Sequence, residues 1–230
     1  MGDERDRLLN INTKKTMEKI GQADLYPVME QAQQMYGTQP YEIFAAINRE
    51  SKFNPNAKSK ISSASGLGQF TKDTAKQIGL DNPFNPVESV LGIGKYLSDL
   101  KKDIKDESPL AAQKAYMLGA SGYRRALSGD KKVAGLADLP GLEKKFVNDI
   151  NNLSSGNIDV NELLKTSKAT PDSITGQMSY ATNPRTNSYA GLSQITSPKK
   201  QVRLSNKKDL LVNASEIGGL GDIGNLEEEV

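Results

Sequence analysis

Apolar residues recur at helical spacing through the first 153 positions of this chain. From Tyr41 onward, Ile43, Ala46 and Ile47 share one helix face with Glu50, at positions i, i+3, i+4 and i+7. Three of these four residues are apolar and the fourth is a carboxylate. The same kind of pattern predicts further helices over residues 24–36, 71–78 and 142–153, and two longer ones that begin near Pro86 and Pro109.

Capping and breaking residues indicate where these helices begin and end. Asp24 is in position to cap the first of them, and Gly37 to end it. The prolines that open the two longer helices suit the first helical position, where a missing N–H costs nothing. Gly119 and Gly122 are expected to break or bend the helix in which they lie.

The composition changes after residue 153. Ser, Thr, Asn, Gly and Lys dominate residues 154–230, where no phenylalanine occurs, and such a segment cannot bury enough apolar surface to fold alone. Residues 1–23 are charged with scattered apolar positions, which suggests an arm or a loosely amphipathic helix. We therefore predict an N-terminal arm over residues 1–23, a mainly all-α domain over residues 24–153, and an extended, irregular tail over residues 154–230 that anchors the chain in an assembly.

The residue types that are missing exclude several kinds of chemistry. The 230 residues include no histidine and no cysteine, which rules out zinc sites built from these side chains, Ser-His-Asp and Cys-His nucleophiles, and thiol redox reactions. We expect no metal and no cofactor. The formal net charge of +2 does not indicate nucleic acid as a partner. Any chemistry must come from carboxylates, hydroxyls, amides, lysine or arginine.

The first fifteen residues are too polar for a secretory signal peptide, and no apolar run is long enough to span a membrane. We therefore expect neither a signal peptide nor a transmembrane segment.

Glu50 is the main candidate for chemistry that remains after this elimination. A carboxylate on an apolar helix face is costly unless it is paired, neutral or functionally employed. A low dielectric raises the pKa of a carboxyl group, and this is how a glutamate becomes a general acid near neutral pH. The alternative is a helix glutamate whose ion pair with a lysine or arginine points inward. The periodicity alone favours this alternative, because charged residues are rarely buried in the core.

The segment Gly66-Leu67-Gly68-Gln69 follows a Ser- and Gly-rich loop that would bend the backbone back towards the acid. Glycines there would let the backbone approach a sugar closely, with Gln69 offering a donor and an acceptor to hydroxyl and acetamido groups. The alternative is a turn that needs positive φ angles and has no further role.

Four motifs in the right order resemble one family. They are Glu50-Ser51 with the following Phe53-Asn54-Pro55-Asn56-Ala57-Lys58-Ser59, then Gly66-Leu67-Gly68-Gln69, then Pro86 with Gly94, Tyr96 and Leu97, and finally Ala115, Tyr116 and Gly119. Over roughly residues 24–127 the chain resembles the soluble lytic transglycosylases, which are related in fold to goose-type lysozyme. It departs from the family pattern at two positions, with Gly68 where methionine is usual and Met117 in place of an asparagine.

The resemblance implies a lysozyme-like helical domain with Glu50 as its single catalytic residue. It also implies that Tyr116 hydrogen-bonds near this glutamate, although Tyr116 could instead be a core aromatic. Ser51 could contact glycan or merely cap the helix end. The substrate-binding residues that the resemblance implies are Ser51, Gly66, Leu67, Gln69 and Tyr116.

The implied reaction cleaves the β-1,4 bond between N-acetylmuramic acid and N-acetylglucosamine in peptidoglycan. Glu50 would protonate the glycosidic oxygen and then take the proton of the C6 hydroxyl as it attacks C1, which gives a 1,6-anhydro product. One alternative is hydrolysis, with Asp73 or Asp81 activating a water molecule. Another is a lysozyme-like module that has little or no activity and serves as a structural or glycan-binding component, which Met117 and Gly68 favour.

A phage particle could deliver such an enzyme to the wall without an export signal. The sequence therefore predicts a virion protein that opens the cell wall locally during genome entry and acts in the host periplasm. We expect it to contact other virion proteins through residues 154–230 and the N-terminal arm, and to form a homo-oligomer in the particle.

Overall fold

The computed structural model of this protein describes residues 2–136, 138–167, 182–183 and 188–189. In this part of the chain no helix is both long enough and apolar enough to cross a membrane. The helices are α1 (Gly2–Lys19), α2 (Tyr26–Tyr36), α3 (Pro40–Glu50), α4 (Lys72–Ile78), α5 (Pro86–Ile104), α6 (Pro109–Leu127), α7 (Lys131–Leu136), α8 (Leu139–Ser155) and α9 (Val160–Thr166). The mainly all-α prediction is confirmed.

Helix α3 runs through the core, and its last turn carries the candidate acid. It contacts α1, α2, α5 and α8, so its residues are buried on every side from Pro40 to Asn48. Ile43, Ala46 and Ile47 are buried, as their shared face predicted. Burial then ends abruptly, since Glu50 is only partly covered. The core therefore holds the helix while its C-terminal turn emerges at the surface.

Side-chain caps define the starts of the helices beside this turn. The Asn85 Oδ1 atom accepts hydrogen bonds from the backbone N–H of Val87 at 3.0 Å and of Glu88 at 3.2 Å, at the start of α5. Thr71 caps α4 through the N–H of Thr74, and Ser108 caps α6. These bonds satisfy donors that the first helical turn leaves unpaired. The predicted starts of the two proline-led helices are confirmed.

Helix α2 begins later than predicted, so the cap assigned to Asp24 is wrong. A 3₁₀ turn occupies Ala23–Leu25, and the cap position of α2 is Leu25, which makes no side-chain capping bond. Pro27, whose fixed φ angle suits the first helical turn, lies just inside the helix instead. The predicted end at Gly37 is confirmed by its φ angle of 77°.

The predicted bend in α6 occurs at Gly119 and not at Gly122. Gly119 has φ 68° and ψ 161°, a combination that is essentially restricted to glycine, whereas the helical path continues through Gly122 to Leu127. The bend changes the direction of the backbone just beyond Tyr116 and Met117.

The segment predicted as an N-terminal arm or loosely amphipathic helix forms α1 and contributes to the core. Leu9, Met17 and Ile20 are buried, and α1 contacts both α3 and α8. The Asn12 amide donates a 2.8 Å hydrogen bond to the carbonyl oxygen of Leu153 in α8. Scattered apolar positions thus suffice to bury one side of a helix when two other helices receive it.

Helix α9 lies within the segment that the sequence analysis assigned to the tail. Its Leu163 side chain is buried in the main core, and Glu162 pairs with Lys52 next to the end of α3. Farther along, a two-residue strand β1 (Thr182–Asn183) pairs antiparallel with β2 (Ser188–Tyr189). Most of the predicted anchoring tail lies outside the described residues.

Candidate active site

Glu50, at the end of α3, lines a cavity of about 530 Å³. The cavity is bounded by the turn at residues 69–71, by α4, by Tyr96 of α5 and by the bend of α6. The Glu50 side chain keeps 20% of its surface exposed, so it can reach a molecule in the cavity without being freely solvated. The residues with polar side-chain atoms that line the cavity are Glu50, Gln69, Thr71, Thr74, Gln77, Tyr96 and Tyr116.

The neighbouring Arg49 compensates the charge of Glu50. Its Nη2 atom lies 2.8 Å and its Nε atom 3.0 Å from the Glu50 Oε1 atom. The same guanidinium group donates to the Gln113 Oε1 atom and lies 5.3 Å from the ring centroid of Tyr116. Glu50 therefore combines the two interpretations of the sequence: it forms an ion pair with an arginine, and its carboxyl group lines the cavity.

The turn before Gln69 requires glycine at two positions, for two different reasons. Gly66 has φ 74°, and a Cβ atom there would lie 1.6 Å from the carbonyl oxygen of Pro83. A Cβ atom on Gly68 would come within 2.6 Å of the Phe70 ring and 2.8 Å of the Tyr116 hydroxyl. A larger residue at position 68 would therefore displace Tyr116. The departure from the family pattern at this position is tied to the placement of that tyrosine.

Gln69 holds the turn together with its amide group. The Nε2 atom donates hydrogen bonds to the carbonyl oxygens of Ala57 at 3.1 Å and Gly66 at 3.0 Å. Both amide hydrogens are thus used inside the protein. The predicted donor role towards a substrate does not hold in this arrangement, and the amide oxygen remains as the polar atom available to a ligand in the cavity.

Tyr116 combines the two roles that the sequence left open. Its ring packs against Phe70 and Tyr96, with centroid separations of 5.8 Å and 5.0 Å, while its hydroxyl donates a 2.8 Å hydrogen bond to the Gly68 carbonyl oxygen. Burial, and secondarily the negative charge of Glu50, raise the pKa of Tyr116 well above its ordinary value. The phenol therefore remains a neutral hydrogen-bond donor at any physiological pH.

Three of the predicted substrate-binding residues lie outside the cavity lining. Leu67 is 1% exposed and belongs to the core, and Gly66 is buried beneath Pro83. The Ser51 hydroxyl donates to the Ile47 carbonyl oxygen at 3.3 Å, so it serves the end of α3. The structure brings Glu50, Gln69 and Tyr116 of the predicted set together around the cavity.

The two aspartates of the hydrolytic alternative do not line this cavity. Helix α4 presents Thr74 and Gln77 to it, whereas Asp73 is exposed elsewhere on the helix. Asp81 lines a separate, smaller hollow together with Lys72. Among the described residues that line the cavity, Glu50 is the one carboxylate.

Arg49 and Gln113 belong to the site but are not among the residues that the sequence predicted. Arg49 directly follows the buried stretch of α3, and its neighbour Gln113 is three residues before Tyr116, which places Gln113 on the same side of α6. The three-residue spacing from Gln113 to Tyr116 is a sequence feature that places Gln113 near the site. No such feature predicts the approach of Arg49 to α6, because it depends on how α3 and α6 pack.

Residues 27–138 match the family described as "Transglycosylase SLT domain". This segment, just under half of the chain, is similar to that family. The match confirms the resemblance that the four motifs indicated, and it extends beyond α6 into the region of α7.

Proteins similar to this chain include several named "Membrane-bound lytic murein transglycosylase F". The protein from Pseudoalteromonas translucida (strain TAC 125) is 40% identical over 78 residues, which cover 34% of this chain and 16% of the relative. That from Shewanella sediminis (strain HAW-EB3) is 38% identical over 68 residues, 30% of this chain and 14% of the relative. That from Shewanella pealeana (strain ATCC 700345 / ANG-SQ1) is 30% identical over 109 residues, 47% of this chain and 22% of the relative. The likeness thus spans less than a quarter of each of these relatives.

Proposed function

We propose that this SLT domain is a murein lytic transglycosylase with Glu50 as its catalytic residue. The observation that carries the proposal is the position of one carboxylate at the end of a core helix, facing a cavity of about 530 Å³ with polar walls. The names of the relatives, which are lytic murein transglycosylases, support peptidoglycan as the substrate.

In the proposed reaction, a protonated Glu50 donates its proton to the glycosidic oxygen between N-acetylmuramic acid and N-acetylglucosamine. The bond from C1 to this oxygen breaks, and the acetamido group of the substrate stabilises C1. The Glu50 carboxylate then accepts the proton of the C6 hydroxyl as its oxygen bonds to C1. The products are a 1,6-anhydro end and a free hydroxyl, and no water is consumed.

The hydrolytic alternative requires a second group that activates water on the opposite face of the sugar. Neither Asp73 nor Asp81 lines the cavity with Glu50, and this supports the transglycosylase over the hydrolytic muramidase. Mass spectrometry of the muropeptides released from purified sacculi separates the two reactions. Anhydro ends are expected, and products that carry an added water would contradict the proposal.

The decisive variant for the site is Glu50→Gln, which keeps the size of the side chain and removes its ionisable carboxyl group. We expect it to lower the release of muropeptides from sacculi at least about 100-fold, since proton transfer by a positioned group contributes on that order. The matched control is Glu143→Gln, which breaks an exposed ion pair with Lys114 away from the cavity and should leave the rate unchanged. A Glu50→Gln protein that still releases muropeptides would show that the chemistry lies elsewhere.

A second candidate function is glycan binding without turnover, as a structural component. The ion pair between Arg49 and Glu50 favours it, because this pair already occupies one oxygen of the carboxyl group. Met117 on the cavity wall also favours it, since a thioether cannot donate a hydrogen bond. Retention of the protein on sacculi with no soluble product from the wild type would support this function.

We further propose, by analogy, a phage particle as the setting of this activity. The domain would open the host wall locally during genome entry, with residues 154–230 contacting other particle proteins. Protein mass spectrometry of purified particles, together with zymography of the same particles, tests this setting. Absence of the chain from particles that remain infectious would contradict it.

A further inference from the structure

Arg49 is held from three directions beside the candidate acid. It donates two hydrogen bonds to one oxygen of Glu50, one hydrogen bond to Gln113, and its guanidinium group lies over the face of the Tyr116 ring. Its side chain keeps only 14% of its surface exposed. A surface arginine that merely neutralised a nearby carboxylate would not need these additional partners.

The partners of Arg49 are themselves fixed. Gln113 is fully buried, and its Nε2 atom donates a 3.0 Å hydrogen bond to the carbonyl oxygen of Glu42, which directs its Oε1 atom to Arg49. Tyr116 is fixed by its bond to the Gly68 carbonyl oxygen and by Phe70. The position of the guanidinium group is therefore set by α3 and α6 together and not by Glu50 alone.

Both hydrogen bonds from Arg49 end on the same atom, Glu50 Oε1. This asymmetry gives the two oxygens of the carboxyl group different roles. An oxygen that accepts two charge-assisted hydrogen bonds is the less basic of the pair, so a proton on this carboxyl group would sit on the other oxygen.

We propose that Arg49 is a positioning residue for the transglycosylase reaction, an inference that rests on the proposed function. By holding Oε1, it orients the carboxyl group so that Oε2 carries the proton that passes to the glycosidic oxygen. The bond from C1 to that oxygen breaks, and Oε2 later accepts the C6 hydroxyl proton as the bond from C1 to O6 forms. Between these steps Glu50 is an anion, and the guanidinium group stabilises it in place.

The test compares Arg49→Met and Arg49→Lys with the wild type on soluble, uncrosslinked murein glycan strands. Arg49→Met is expected to lower kcat about tenfold or more while KM stays within about twofold, because orientation of the acid is lost and glycan contacts remain. Arg49→Lys should restore part of kcat, since lysine keeps the charge but lacks the planar fork. The control is Arg125→Met, which removes an exposed ion pair with Asp130 outside the site.

Either of two results would overturn the inference. One is a kcat of Arg49→Met within about twofold of the wild type, and the other is a raised KM with an unchanged kcat, which would make Arg49 a substrate-binding residue. Thermal melting of each variant identifies a loss that comes from unfolding. If Arg49→Met does not fold, Arg49→Lys decides alone, with a reduced kcat at unchanged KM expected and an unchanged kcat contradicting the inference.

Failure of the proposed function gives a different result. A wild type without turnover, measured beside Glu50→Gln, contradicts the transglycosylase and leaves the contact itself to be tested by spectroscopy. The carboxyl ¹³C signal of Glu50 should move in Arg49→Met and Arg49→Lys and stay in place in Arg125→Met. A Glu50 carboxyl signal that has the same chemical shift in both Arg49 variants as in the wild type would overturn the positioning role, whatever the catalytic result.

Discussion

Single residues determine how the cavity wall is built next to Glu50. Gly68 leaves the space that the Tyr116 hydroxyl fills, and the hydroxyl in turn bonds to the Gly68 carbonyl oxygen. Tyr116 then supports the guanidinium group of Arg49, which contacts Glu50. The absence of a side chain at Gly68 thus allows the contacts through Tyr116 and Arg49 that orient Glu50.

The substitution Gly68→Ala should disturb this connection. Its Cβ atom would lie 2.6 Å from the Phe70 ring and 2.8 Å from the Tyr116 hydroxyl, so Tyr116 must move. We expect the free energy of unfolding to fall by about 1–3 kcal/mol, as for other overpacked sites, and the rate of murein cleavage to fall with it. Urea unfolding and muropeptide release measure the two effects.

Gly92→Ala is the matched control for this substitution. Its Cβ atom would meet the flexible end of Ile78 at 3.3 Å and the same Phe70 ring at 3.5 Å, so the neighbours need to move only slightly. Stability and cleavage should stay close to those of the wild type. Equal effects of Gly68→Ala and Gly92→Ala on stability and cleavage would mean that displacement of Tyr116 is not the cause of the loss.

At the scale of whole elements, the packing of α9 shows that the core includes residues beyond position 154. Leu163 enters the main core, while Leu164 on the next position points outward with 48% of its surface exposed. The pair between Glu162 and Lys52 joins this helix to the segment that follows the candidate acid. Composition suggested a tail from residue 154, because a single buried leucine is not visible in an average over a polar segment.

Leu163→Ala tests whether α9 belongs to the folded domain. We expect a loss of about 2–3 kcal/mol in the free energy of unfolding, at the lower end for buried leucines because the short helix can readjust. Leu164→Ala removes the same atoms from the exposed side and should cost less than about 0.5 kcal/mol. Urea denaturation of both variants decides. Equal values for the two leucines would indicate that α9 does not pack as described.

On the scale of the whole molecule, the sequence predicted the features that depend on local spacing. Caps, breakers and periodicity predict the two helices that begin near Pro86 and Pro109, the helix end at Gly37 and the buried face of α3. The grouping of Glu50 with Tyr116 came from the family resemblance. The contacts of Arg49 were not predictable, since they arise where α3 meets α6, whose contacting residues are 64 positions apart.

The N-terminal helix provides the test at this scale, because its apolar positions are too scattered to predict burial. Leu9, Met17 and Ile20 enter the core and Asn12 bonds to α8, so α1 covers apolar surface of both α3 and α8. A chain that lacks residues 1–22 should therefore lose its cooperative thermal transition and its murein cleavage. A shortened chain without α1 that still melts cooperatively at the full-length temperature would show that the fold does not depend on this helix.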